Sequence, residues 1–268
     1  MPFLLTDFYK VGHPFQYPEN TLLVYSNETA RKSRINNING MINFSLSYFL
    51  QEYLVDYFNE EFFNRPKEQV IKEYKRMIKN TLGADLPSYS HIENLHDLGY
   101  LPLQIKALPE GVFVPTGVPY VTIVNTLPEY YWLTNFIETL MSCMTWQGAT
   151  SATLSKIYRD ILDYYAEKTG VDPSFVQWQG HDFSFRGMSS LESAVLSGSG
   201  HLLNFTGTDT IPAICFLEDY YGADVEKELV GGSVPATEHA VMCSGIGIKE
   251  MLLQKGELDN LIKEYNSF

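Results

Sequence analysis

Basic residues are scarce in this 268-residue sequence: 19 Lys and Arg stand against 32 Asp and Glu, for a formal charge of −13. Such an acidic chain excludes a broad surface for nucleic acid or for an anionic membrane. No run reaches the ~18 apolar residues of a membrane span. The opening stretch MPFLLTDFYKVGH has no basic start and meets Asp7 where a secretion signal would continue. We therefore expect a soluble, cytoplasmic protein.

Cysteine is also scarce, with only Cys143, Cys215 and Cys243, and no CxxC or Cys/His ligand spacing occurs. Three thiols among apolar or small neighbours predict buried, unpaired cysteines in a reducing compartment. His91 and His96 are five apart, off the zinc spacing, and no GxxxxGK[ST] or GxSxG motif occurs. The sequence thus predicts no metal site and no kinase or hydrolase motif.

What the sequence does contain is an ordinary globular composition, 45% hydrophobic and 19% charged. Proline and glycine punctuate alternating β-branched residues in one stretch, which predicts short strands and tight turns. Helical spacing recurs elsewhere. We predict the small β unit over Leu101–Pro128 and helices over Phe44–Phe58, 70–78, Tyr130–Cys143 and Ser151–Thr169.

Beyond residue 170 the sequence alternates between candidate strands and helical patterns. Candidate strands near Val176 and Leu202 accompany helical patterns over Ser189–Gly200 and Thr210–Tyr221, and Glu257–Phe268 is again helical. A βαβα rhythm predicts a parallel sheet or barrel. A complete α/β barrel takes about 250 residues, and the alternation starts only near residue 150. The predicted class is therefore α/β, an α+β part followed by an incomplete barrel.

The loop HDFSFRGMSS, residues 181–190, is rich in chemistry. In an extended chain Phe183 and Phe185 would share one face, opposite Asp182 and Arg186. One interpretation is a buried Asp182–Arg186 ion pair flanked by core phenylalanines. The other places a ring under a flat ligand and Arg186 on an anion, since guanidinium matches phosphate geometry.

The turn NFTGTDTIPA raises a similar choice for Asp209. Its carboxylate could cap the following helix, with Pro212 tolerated in the first turn. Alternatively, it could accept an N–H group of a ligand at the mouth of an α/β fold.

Two further segments are candidates. TDFYKVGH supplies Tyr9, and YSNETAR ends in Arg31, within a basic cluster that is either a solvated face or a phosphate site. GGSVPATEH places His239 in the first turn of a helix, where Glu238 could orient the ring for nucleophilic or general-base work.

These motifs, together with LPEGVFVPTGVP and YWLTNFIET, keep the order found in the nicotinamide phosphoribosyltransferase family, which the chain resembles over nearly its whole length. The resemblance covers only the first half of a family protein, whose second half continues a type II phosphoribosyltransferase barrel. It implies two domains. Residues 1–150 would form a mixed helix and small-sheet domain with a dimer-contact N-terminus. Residues 151–268 would form the first part of the barrel, with the nicotinamide pocket.

The resemblance implies that nicotinamide and phosphoribosyl pyrophosphate give nicotinamide mononucleotide and pyrophosphate in NAD salvage. It implies that Phe183 and Tyr9 sandwich the pyridine, Tyr9 from the other subunit, and that Asp209 accepts the carboxamide N–H. Arg186 would lie on the ligand's phosphate side. Arg31 would bind phosphate across the dimer.

His239 matches the family's phosphorylatable histidine, through which ATP hydrolysis is coupled to turnover. Mg²⁺ would accompany the pyrophosphate. The partner would be a second copy or a complementing C-terminal half.

Two alternatives stay open at this point: a non-catalytic fragment that binds nicotinamide or competes for a dimer surface, and an enzyme for nicotinate or quinolinate. Glu28, Thr29 and Gly232 depart from residues common in the family.

Overall fold

The computed structural model describes residues 1–256 and 258–265, which divide into two compact units, residues 1–232 and residues 233 onward. The smaller unit contains α9 (His239–Lys255) and α10 (Leu258–Tyr265). The helix predicted over Glu257–Phe268 is therefore present over α10, and its remaining positions lie outside the described residues.

The predicted β unit is confirmed. Five antiparallel strands form two sheets, in the orders β1-β5-β3 and β2-β4. The central strand β5 carries the fully buried Val121, which the alternation of apolar residues predicts. The strands are β1 (Tyr25–Thr29), β2 (Gly40–Ile42), β3 (Leu103–Ala107), β4 (Phe113–Pro115) and β5 (Pro119–Asn125).

The helix predicted over Phe44–Phe58 differs in kind from the expectation. After one α-helical turn, α1 (Leu46–Tyr48), the chain continues as π-helix over Phe49–Tyr57 and Asn59–Phe63. The i→i+5 bonds of a π-helix bring residues five apart to one side. The Tyr48 and Tyr53 hydroxyls consequently both donate to Glu192 Oε1, at 2.5 and 2.8 Å. The helices α2 (Lys67–Leu82) and α3 (Ser90–Leu98) follow.

Aromatic rings build the core of the N-terminal part. Phe3 is fully buried and packs mostly edge to face, with ring centroids 4.9–5.9 Å apart, against Phe58, Phe62, Trp132 and Phe136. Edge-to-face pairs add to the stabilisation that burial gives.

One long helix replaces the two predicted over Tyr130–Cys143 and Ser151–Thr169. After the short α4 (Leu133–Phe136), α5 runs unbroken from Glu138 to Thr169 and ends at Gly170, whose φ is +72°. A Cβ on Gly148 would lie 2.7 Å from Ser45 Oγ, so the absence of a side chain there allows α5 to pack closely on Ser45. The predicted division at residue 150 falls inside α5 and stays a prediction.

The parallel part follows α5. Its elements are β6 (His181–Asp182), α6 (Ser184–Gly187), α7 (Leu191–Leu202), β7 (Gly207–Thr208) and α8 (Ile211–Tyr221). Strands β6 and β7 are parallel, and Gly232 adds a parallel bridge to Gly207. This β-α-α-β-α order with parallel strands confirms the α/β class.

The two candidate strands were misplaced. The segment near Val176 is a 3₁₀ helix, Pro173–Trp178, because Asp172 accepts from Ser174 N at 2.9 Å and Pro173 suits a first helical position. The segment near Leu202 is the end of α7.

The burial predicted for the cysteines is wrong. All three are free thiols, as expected, but all three are exposed, because they lie on outward faces of α5, α8 and α9. None of the helices in the described part of the chain is long and apolar enough to cross a membrane.

Candidate functional site

A pocket of about 290 Å³ opens where β6 and β7 end. Because the two strands are parallel, their carboxyl ends meet at one edge, where ligands of α/β folds bind. Phe183 follows β6 and Asp209 follows β7, and the lining is Phe183, Phe185, Arg186, Asp209 and Thr210. Three of the predicted site residues are therefore brought together.

Asp182 organises this edge from beneath. Its side chain is buried, and it accepts hydrogen bonds from Thr208 Oγ1 at 2.9 Å, from Ser184 N at 3.1 Å and from the Ser184 hydroxyl. Thr210 Oγ1 in turn accepts from Phe185 N at 3.2 Å. The sequence interpretation of an Asp182–Arg186 ion pair is wrong within the described residues, because serine and threonine donors occupy that carboxylate.

The extended conformation expected for residues 183–186 is also wrong. The chain turns into the short helix α6 directly after Phe183. Both Phe183 and Phe185 then point into the pocket region and are more than half exposed, at 59% and 57%. They are available as flat apolar surfaces and do not act as core residues.

Arg186 lies in the last turn of α6 and is exposed. Within the part of the chain that is described, no carboxylate forms an ion pair with it. Its guanidinium is the positive charge in the pocket lining, and so an anionic group of a ligand has a partner there.

Asp209 lies one residue before the N-cap position of α8, which Thr210 occupies. Its backbone N–H donates to the Asp182 carbonyl at 2.9 Å. Its Oδ1 lies 3.2 Å from Nε2 of His181, and its side chain is 46% exposed. The carboxylate thus has an imidazole partner and also faces the pocket.

His181 is the residue whose role sequence reasoning missed. Its ring centroid is 4.8 Å from that of Phe183, so the imidazole touches both the aromatic surface and Asp209. Residue 181 begins one short strand and residue 209 directly follows another, and only the pairing of those strands makes the two residues neighbours.

Tyr9 and Arg31 lie outside this pocket. Tyr9 belongs to the 3₁₀ helix Phe8–Phe15, is 62% exposed and meets the ring of His13 edge to face. Arg31 follows β1 and lines a separate pocket of about 620 Å³. Their expected place in a partner's pocket stays a prediction.

The pocket at Arg31 also contains two carboxylates. Glu138 forms an ion pair with the buried Lys10 at 2.8 Å. Burial raises the pKa of Glu28, and hydrogen bonds from Tyr120 and Thr145 only partly offset that rise. Lys10 offsets the charge of Glu138, and the raised pKa favours the neutral form of Glu28, so neither acid adds a full negative charge to this pocket.

His239 is the first residue of α9, as predicted, and is exposed, with Glu238 at the N-cap position. It belongs to the smaller unit. Among residues 1–256 and 258–265, no group of three or more His, Cys, Asp or Glu side chains is arranged to hold a metal ion.

Two families match the chain. Residues 2–105 match the family described as nicotinamide phosphoribosyltransferase, N-terminal domain. Residues 178–261, which include the pocket, match the nicotinate phosphoribosyltransferase (NAPRTase) family.

Curated relatives extend these matches. A nicotinamide phosphoribosyltransferase of Acinetobacter baylyi is 49% identical over 249 residues, covering 91% of this chain and 49% of the relative. A protein of the same name from Xanthomonas campestris is 32% identical, covering 90% and 48%. The crystal structure of human nicotinic acid phosphoribosyltransferase is similar in fold, with a TM-score of 0.54 at 18% identity, covering 90% of this chain and 40% of that one.

The parallel strands with a pocket at their carboxyl ends, and the similarity to a solved relative, define an α/β phosphoribosyltransferase fold. The chain belongs to the nicotinamide phosphoribosyltransferase family. It spans about half the length of the curated relatives that it matches.

Proposed function

We propose that this chain carries the pyridine-binding part of a nicotinamide phosphoribosyltransferase, a glycosyltransferase of NAD biosynthesis. The reaction joins nicotinamide to phosphoribosyl pyrophosphate and releases nicotinamide mononucleotide and pyrophosphate. The observation that carries the proposal is the single pocket that unites Phe183, Arg186 and Asp209, in a chain 49% identical to a relative of that name.

Each of these side chains has a physical task in the proposal. The exposed ring of Phe183 stacks on the pyridine face. Asp209 accepts an N–H of the carboxamide, and its charge would repel the carboxylate of nicotinate. Arg186 binds the phosphate that the ribose carries.

In this reaction the protein contributes mainly by positioning the two substrates and forms no covalent bond to them. The ring nitrogen attacks the anomeric carbon as pyrophosphate leaves, and charge separates in the transition state. Fixed orientation and charge stabilisation lower such a barrier. Mg²⁺ would enter bound to the pyrophosphate. The described residues gather no ligand set of their own for it, so we derive no step through the ion.

The remaining assignments also belong to this proposal. Tyr9 and Arg31 would act from a second protomer in a homodimer, or a complementing C-terminal half would complete the phosphate site. His239 would accept a phosphoryl group from ATP, an optional coupled substrate. We propose the cytoplasm as the location.

A nicotinate phosphoribosyltransferase is the second candidate. The family matched by residues 178–261 favours it. Asp209 argues against it, because a carboxylate in the pocket opposes an anionic substrate. The third hypothesis is a non-catalytic fragment. Unlike the two enzyme hypotheses, it predicts ligand binding or mixed-dimer formation without turnover.

The test is direct. The purified chain would be given nicotinamide, phosphoribosyl pyrophosphate and Mg²⁺, with and without ATP, and nicotinamide mononucleotide would be measured. Binding of nicotinamide alone would be followed by NMR in the wild type, in Asp209→Asn and in the control Asp219→Asn, an exposed carboxylate on α8. Binding weakened by Asp209→Asn alone supports the pyridine site. No binding by the wild type would overturn the proposal, whether or not turnover needs another polypeptide.

A further inference from the structure

The imidazole of His181 bridges the two parts of the pocket that would hold a pyridine carboxamide. Its Nε2 is 3.2 Å from Oδ1 of Asp209, and its centroid is 4.8 Å from the ring of Phe183, at an interplanar angle of 42°. The side chain of His181 is 28% exposed, so the contact with Asp209 is partly shielded from water.

The neighbouring strand fixes the position of this ring. Gly207 pairs with His181 in the parallel register of β6 and β7. A Cβ on Gly207 would lie 2.8 Å from His181 Nδ1 and 2.8 Å from the Gly180 carbonyl. Only glycine leaves room for the imidazole here, and β7 therefore supports the ring from its Nδ1 side.

The other titratable groups near His181 already have their own partners. Asp182 accepts from Ser184 and Thr208. His201 interacts with His181 through charge, and its Nε2 lies 3.1 Å from the Gly207 carbonyl. The carboxylate that contacts the imidazole of His181 is that of Asp209.

We propose that His181 is a positioning residue that holds Asp209 toward a ligand's carboxamide and thereby sets the preference for the amide over the acid. This inference rests on the proposed function. The N–H at Nε2 donates to Oδ1 of Asp209 and holds that carboxylate where its negative charge opposes a carboxylate ligand.

Two substitutions separate these effects. His181→Ala removes the donor, and we expect nicotinamide to bind about tenfold more weakly while nicotinate binding changes little. His181→Gln restores an N–H donor, and so should recover most of the nicotinamide affinity. The control is His201→Gln, an imidazole near the same strand whose Nε2 faces a backbone carbonyl rather than Asp209.

The ratio of nicotinamide to nicotinate affinity is a readout that a merely structural role would not move. Measured by NMR titration of the purified chain, it should fall in His181→Ala, return toward the wild-type value in His181→Gln and stay unchanged in His201→Gln. If His181→Ala fails to fold, His181→Phe removes the same donor while keeping a ring beside Phe183, so the inference stays testable.

The outcomes are distinct. If Asp209→Asn changes the affinity ratio but both His181 variants keep the wild-type ratio, the inference about His181 is overturned and the proposed function stands. If the wild type binds no nicotinamide, both fail. A lowered ratio in His181→Ala, with rescue by His181→Gln, supports the positioning role.

Discussion

The carbonyl oxygen of Gly148 lies 2.6 Å from the point that a Cβ on Gly200 would occupy, so α5 and α7 meet backbone to backbone. The backbone nitrogen of Ala152 is also only 2.8 Å from that point. Gly200→Ala must push the two helices apart, and we expect it to lower the free energy of unfolding by about 2 kcal/mol. Denaturant unfolding measures this.

Gly245→Ala is the matched control for that change. Gly245 lies inside α9, and nothing lies within 4 Å of its Cβ position. Alanine should be neutral or stabilising there by up to about 1 kcal/mol. Equal effects of the two substitutions would contradict the close approach of α5 and α7.

Asp182→Ala should destabilise the protein by about 3 kcal/mol. It removes the buried acceptor of the Ser184 and Thr208 hydroxyls and leaves those donors unpaired. Asp224→Ala, which removes a surface partner of Lys227, should cost much less. Urea unfolding of both variants compares them, and similar losses would mean that Asp182 does not organise the edge of the pocket.

His91→Phe should protect the protein against acid. Burial lowers the pKa of His91 to about 4, and neither ring nitrogen has a hydrogen-bond partner among the described residues. The unfolded chain binds this proton at about pH 6.5, so the free energy of unfolding falls as pH drops from 6.5 toward 4. Phenylalanine can still pack on Trp132 and should recover about 3 kcal/mol at pH 4. Unfolding midpoints across this pH range provide the check.

Glu28→Gln should act in the opposite pH direction. Because burial raises the pKa of Glu28, the folded protein keeps this proton to higher pH than the unfolded chain does. Stability is therefore lost as pH rises above the unfolded value of about 4.5. The amide should stabilise the protein at about pH 7 and lose that advantage toward pH 4. A constant difference across the range would contradict a protonated Glu28.

Arg186→Gln should weaken binding of nicotinamide mononucleotide about tenfold and leave nicotinamide binding nearly unchanged, because only the nucleotide carries a phosphate. Arg76→Gln, on the exposed side of α2, is the control and should change neither affinity. Calorimetric or NMR titration of both ligands makes the comparison. An equal loss for both ligands would contradict a phosphate role for Arg186.

Local patterns predicted the elements whose signal lies in adjacent residues. The proline and glycine turns between residues 101 and 128 located three strands, and Gly170 marked the end of α5 through its positive φ. Local patterns gave wrong predictions where contacts between distant residues determine the secondary structure. The helices predicted over Tyr130–Cys143 and Ser151–Thr169 are joined by α5. Glu192, which is distant in sequence, accepts hydrogen bonds from Tyr48 and Tyr53 at the start of the π-helix, a contact that no local pattern indicates.

The same limit applies to the pocket. Phe183, Arg186 and Asp209 could be chosen from sequence because flat, cationic and anionic groups after predicted strands suit a polar aromatic ligand. The contact between His181 and Asp209 could not be predicted, because it depends on the pairing of two strands of only two residues each. Strands this short carry almost no periodic signal.

The continuity of α5 has a consequence for motion. Its 32 residues extend about 48 Å at the usual helical rise. One rigid rod therefore passes across residue 150, and no hinge separates the segments on either side of it. The larger unit cannot close around a ligand like a two-domain clamp at this position.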